Sequence, residues 1–398
     1  MAITDKTEGV WVLDEVYNKQ NQGGIWSYSG VASLFVWGKN THGLLGQNNL
    51  TSYSSPVQVP GTTWQYLAHT ASSSNDTDFS LATKTDGTLW AWGANGNGEL
   101  GQNSEVKRSS PIQIPGTTWG QYMETTGGSV FSLRTDGTLW AWGRNTSGYG
   151  RLGLNDKNSR SSPTQIPGTW SNINANGFAT MATKTDGTLW TWGNSNVGQL
   201  GLNGPVNTNY SSPKQVGTDT TWSTSMAGGG NWQTAIKTDG TLWIWGYNNK
   251  GQLGLNENGG PGAGLSGAKS SPVQIGTATT WSKITSTNSS AVAIKTDGTL
   301  WSWGQNNQGQ LGINNEADRS SPTQVPGTTW ANVLSAQNST IAVKTDATLW
   351  SWGYNNYGNL GLNNQTYYSS PTQIVGDWRQ GVREMGATWG GFMVIKDL

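Results

Sequence analysis

A ten-residue phrase, KTDGTLWAWG, occupies residues 84–93, returns almost unchanged at Arg134, and opens in variant form at Lys184, Lys237, Lys295 and Lys344. Repetition at this length means that each copy is one structural unit burying its apolar face on the next. The Trp-Gly that ends the phrase has its Trp at 37, 92, 142, 192, 245, 303 and 352, spaced 49 to 58 residues apart. A Leu-Gly pair follows each, from Leu45-Gly46 to Leu360-Gly361, and then Ser-Ser-Pro-x-Gln, with prolines at 56, 111, 163, 213, 272, 322 and 371. A lone Trp closes each copy, at 64, 119, 170, 222, 281, 330 and 378.

Each copy reads as strands. FSLATKTDGTLWAWG (79–93) is two alternating runs hinged on Asp86-Gly87, a hairpin signal. Trp90 and Trp92 stand two apart and share one face, while Leu89 and Ala91 share the other, so both faces need covering. The Ser-Ser-Pro segment alternates again, with Pro at a strand start or edge. About four short strands in about 50 residues make one propeller blade. A linear solenoid and an ordinary sandwich are the alternatives, and the chain ends decide against both. The first copy, ASLFVWG (32–38), matches only the second half of the phrase, and GGFMVIKDL (390–398) matches only the first half. Met393, Val394 and Ile395 are therefore expected to pair with Leu34, Phe35 and Trp37 and close the ring, leaving no open edge. The expected fold is all-β, a seven-bladed propeller of four-stranded blades over residues 31–398, with residues 1–30 as an N-terminal extension. In the seventh copy Ala347 stands where five others have Gly; if that turn requires positive φ, Ala347→Gly stabilises the protein.

The phrase T-D-G-x-L-W-x-W-G-x-N, followed by Gly-Gln-Leu-Gly and Ser-Ser-Pro, closely resembles the regulator of chromosome condensation repeat, over residues 31–398. The resemblance implies a propeller with a split closing blade. The founding member's nucleotide exchange and nucleosome docking do not follow for this chain, because those belong to particular loops and basic tails. Here Lys+Arg and Asp+Glu both number 23, the formal net charge is zero, and no basic tail is present. That balance supplies no field toward nucleic acid or an anionic membrane.

Residues 9–30, GVWVLDEVYNKQNQGGIWSYSG, place Val12, Leu13, Val16 and Tyr17 at helical spacing before a Gly-Gly break. The stretch looks like the N-terminal segments of tailed-bacteriophage virion proteins, which implies attachment to other virion proteins through Trp11, Leu13, Val16, Tyr17 and Trp26. Capping of the propeller mouth and a disordered leader are the alternatives. The N-terminus has no basic start leading into an apolar run, so a conventional signal peptide is not expected, and no stretch has the length of a membrane helix.

Chemistry-bearing clusters do not emerge. Cysteine is absent, and His42 and His69 fall in different copies, which offers neither a thiolate metal site nor a nucleophile–base pair. The repeated aspartates (Asp86, Asp136, Asp186, Asp239, Asp297, Asp346) read as turn formers rather than calcium ligands, each being single. The basic residue two before each Asp reads as a solvated, charge-compensated rim. No Gly-rich stretch has the phosphate-cradle pattern, and residues 258–272 read as an inserted surface loop. Recognition is instead expected at the loops around Leu-Gly and Ser-Ser-Pro, where Tyr53, Tyr210, Tyr247, Tyr354, Tyr357, Tyr367 and Tyr368 stand among amides and hydroxyls.

The sequence thus leads to a non-enzymatic protein without cofactor or metal: a virion structural or adhesion protein binding virion proteins or a host-surface glycan or protein. The alternative is a protein-interaction scaffold of the chromosome-condensation-repeat type, in a bacterial cytoplasm or at a cell surface.

Overall fold

The computed structural model describes residues 32–397, apart from 39, 41, 52, 62, 72–78, 146–147, 258–266, 337, 357, 375–381 and 389–390. All regular elements among these are short β-strands, most of them paired antiparallel with their chain neighbours. The unit is clearest in the second copy, whose antiparallel strands run in the order Trp64–Leu67, Phe79–Lys84, Leu89–Gly93, Arg108–Ile114.

The expectation of seven like, four-stranded blades is corrected. Six sheets are four-stranded blades, and the third copy's strands belong to a five-stranded sheet. The extra strand, His69–Ala71, continues the inner strand of the second copy and pairs in parallel with Trp119–Thr126, placing His69 opposite Glu124. An insertion between Leu67 and Phe79 gives it the length to cross. A parallel pairing between separate copies has no local sequence pattern, which is why the uniform repeat hid it.

The two chain ends share one sheet. Strand Ala32–Gly38 pairs antiparallel with Gly391–Asp397, setting Leu34 against Ile395 and Phe35 against Val394. Trp37 and Met393 lie in the same two strands. The strands that open with the lone Trp contact their counterparts in the neighbouring sheets, so they form the inner ring.

The phrase itself is a set of hydrogen bonds. Asp86 Oδ1 accepts from the Thr88 amide at 3.0 Å and its hydroxyl at 2.6 Å, and Thr88 Oγ1 accepts from Trp90 Nε1 at 2.8 Å. The same chain recurs at Asp136, Asp186, Asp239, Asp297 and Asp346. Ala347 holds φ at +62°, within the left-handed region that Gly occupies in the other copies.

The second Trp of the phrase joins neighbours. Trp92 Nε1 donates to the Leu44 carbonyl at 2.7 Å, Trp142 to Glu99 at 2.8 Å and Trp245 to Gln199 at 2.9 Å. The Gly of Leu-Gly lies flat on that ring: a Cβ on Gly201 would stand 2.8 Å from Trp245 Nε1. The lone Trp then meets both others edge-on, as Trp64 does Trp90 at 6.4 Å and Trp92 at 5.8 Å. Such pairs add about 0.5–1.5 kcal/mol beyond area burial. Among the described residues six copies thus lock their own sheet to the preceding one with one aromatic triad.

Candidate functional site: the loop rim

Strand direction divides the molecule into two rims. In the fourth copy Thr183 faces Leu189 at the Asp-Gly turn, and Ala179 faces Gly193 at the other end. That second end carries both the inner hairpin turn and the long loop from Leu-Gly to Ser-Ser-Pro.

The turn rim is already occupied by its own side chains. Lys84 Nζ lies 4.1 Å from the Trp90 ring centroid and 4.9 Å from that of Trp64, and Lys184, Lys237, Lys295, Lys344 and Arg134 are held alike. The expectation of a solvated basic ring is corrected: these cations are stacked between two indoles, where the ring faces attract them. The adjoining aspartates sit below the usual carboxylate range, first because the Thr hydroxyl two residues on donates to each.

The loop rim is built on asparagine. Asn95 Oδ1 accepts from the Leu100 amide, while its Nδ2 donates to the Ser104 and Val106 carbonyls, fixing both ends of the loop. Asn306 and Asn355 repeat this. The loop tips between stay free to vary. The exposed large apolar side chains among the described residues, Leu50, Val106, Phe178 and Val206, all lie on this rim, three in the loops and Phe178 in an inner turn.

The predicted tyrosines divide. Tyr53, Tyr210 and Tyr368 open the strands that lead away from the loops, opposite Gly38, Gly193 and Gly353. Tyr354 and Tyr367 pack together at 5.2 Å, Tyr367 Oη donates to Asn356 Oδ1 at 2.7 Å, and Asn364 Nδ2 donates to Tyr368 Oη at 3.2 Å. Tyr354 and Tyr367 thus form one half-buried pair, while Tyr368 packs on the core that holds Trp352. Tyr210 and Tyr247 belong to other copies, Tyr247 in the loop after Leu242–Gly246, and Lys214 lies 5.6 Å from the Tyr210 ring. Tyr357 lies outside the described residues, as do Trp11, Leu13, Val16, Tyr17 and Trp26.

Among the described residues no group of His, Asp or Glu is placed to hold a metal ion. His42 sits in a loop-rim turn of the first copy, and His69 on the strand added to the third copy's sheet. A cavity of about 420 Å³ lies between the third and fourth copies, lined by Arg160, Lys184, Trp190 and Pro213.

A family model described as RCC1-like domain matches residues 33–394. The chain belongs to that family. Among solved structures, this RCC1-like chain is similar to Prp20p of Saccharomyces cerevisiae, at TM-score 0.75 and 19% identity over 95% of this chain and 94% of the other. It is similar to human WBSCR16 at TM-score 0.76 and 17% identity, over 92% and 99%. Among curated proteins, the probable E3 ubiquitin-protein ligase HERC3 of Homo sapiens is 32% identical over 99 residues, 24% of this chain and 9% of that protein. The mitochondrial RCC1 domain-containing protein RUG3 of Arabidopsis thaliana is 29% identical over 115 residues, 29% of this chain and 24% of that one. The chain thus matches less than a quarter of the length of these two curated relatives.

One feature of the rim escaped the sequence reading, the replacement of the loop glutamine by Arg151. Two signals carried it. The Asn-to-Leu hydrogen bond spans seven residues in the third copy, Asn145 to Leu152, and five in others. Arg151 also stands where the next three copies have Gln199, Gln252 and Gln310.

Proposed function

We propose that this RCC1-like propeller is a protein-interaction scaffold whose loop rim is its working face. The carrying observation is the one-sided placement of Leu50, Val106, Phe178 and Val206. Exposed apolar side chains gathered on one face, rimmed by amides and hydroxyls, have the composition of a protein contact surface. The turn rim, by contrast, spends its Asp, Thr, Trp and Lys side chains on one another. The zero net charge favours contacts of matched shape over electrostatic capture of nucleic acid. The half-buried pair of Tyr354 and Tyr367 extends the same face.

A virion attachment or adhesion role through residues 1–30 has no support in these comparisons and is not carried forward. The partners and activities of the relatives above are theirs; the partner of this chain is defined by its own loop tips.

The test is photo-crosslinking. A benzophenone amino acid placed at Leu50, Val106 or Val206 is expected to give discrete adducts in an extract of the source cells, and one at Asp136 on the turn rim is expected to give none. Adducts from the turn rim alone, or from neither rim, overturn the proposal.

A further inference from the structure

At the rim position of Arg151, a glutamine serves the loop. Gln199, Gln252 and Gln310 accept, through Oε1, the amides of Val197, Lys250 and Gln308, and Glu99 accepts that of Asn97. Arginine has donors only and cannot take this place. The two-residue extension of the third loop lets Arg151 leave it. Its guanidinium carbon lies 4.6 Å from the Phe178 ring centroid and 5.7 Å from that of Tyr149, and the two rings stand 5.8 Å apart. Nη1 fills the space beside Gly127, where a Cβ would come within 2.5 Å.

Arg151 is 4% exposed, and its Nε is buried with no hydrogen-bond partner among the described residues. Among the described residues no salt bridge is made to Arg151. Burial first, then the neighbouring Arg144, depress Arg151 to about 10, with Tyr149 partly offsetting them. Two cations held together with one of them dehydrated is a costly arrangement that an arriving anion reverses. The aromatic faces hold the guanidinium plane, and its fork of N–H groups suits a two-oxygen acceptor. Phe178, 41% exposed, offers apolar contact beside it. An arginine backed by aromatic side chains within an apolar surround is the composition of a protein–protein hot spot.

We propose that Arg151, held against Phe178 and Tyr149, anchors a docking site for an acidic side chain of a protein partner. This rests on the loop rim being the working face and adds the chemistry of one contact.

Arg151→Gln restores the residue of the fourth to sixth copies, so it is expected to fold with a melting temperature at or above that of the unaltered protein. The probe is a capped peptide of alternating glutamate and leucine, titrated calorimetrically beside its glutamine–leucine counterpart. The expected result is binding of the glutamate peptide that weakens with salt, falls at least tenfold in Arg151→Gln and falls less in Arg151→Lys. Equal binding by Arg151→Gln, equal binding of the two peptides, no binding of the glutamate peptide, or its displacement by equimolar inorganic phosphate overturns the proposal. Crosslinking from Val106 separates the two levels: adducts that persist while Arg151 proves inert leave the scaffold reading standing without this anchor.

Discussion

At Ala347 the backbone is bent to φ +62°, where Gly87, Gly137, Gly187, Gly240 and Gly298 hold 75° to 81° in the equivalent turns. Alanine there has a strained conformation that glycine adopts freely, so Ala347→Gly is expected to stabilise by about 1 kcal/mol, read as a higher melting temperature. Glu124 makes a second residue-scale prediction. Burial pushes its carboxyl well above the ordinary 4.5, despite the hydrogen bond from the Ala175 backbone. A raised carboxyl contributes stability that is present below the unfolded pKa and is lost as pH climbs toward the folded one. Glu124→Gln is therefore expected to gain on the unaltered protein steadily from about pH 4.5 upward in thermal melts. A constant gap between the two curves contradicts a buried, raised carboxyl.

At the scale of the element, hairpins were legible because their signals are local: Asp-Gly between alternating runs, with two Trp on one face. What stayed hidden was the use of each side chain. Trp90 and Trp92 look equivalent in sequence, yet the first is tied to Thr88 within its own turn and the second to Leu44 in the preceding copy. Corresponding substitutions are expected to separate the two roles. Trp245→Phe leaves the Gln199 carbonyl buried without its donor, at a cost of about 1–3 kcal/mol beyond the lost packing. Trp243→Phe removes only the half-buried bond to Thr241 and is expected to cost about 1 kcal/mol. Urea unfolding of the pair decides it, and equal losses contradict the division. The same limit hid the lysine stacks: spacing placed Lys84 beside Asp86, but only the folded sheet brings Trp64 under it.

For the whole molecule, periodicity made the propeller legible, and the half-phrases at the two chain ends pointed to where the ring would join. The irregularities were not legible, since each depends on contact between distant copies: the strand His69–Ala71 crossing to another sheet, and Arg151 resting on Phe178 of the next copy. Both rims, and the assignment of function to one of them, depend on the closure. The direct test uses the absence of cysteine from the chain. Leu34 and Ile395 face each other across antiparallel strands, within the Cα spacing a disulfide requires. The double variant Leu34→Cys, Ile395→Cys is expected to oxidise to a single intramolecular disulfide, seen as faster migration on a non-reducing gel and a raised melting temperature. Two free thiols in the oxidised, folded protein would contradict the closed ring.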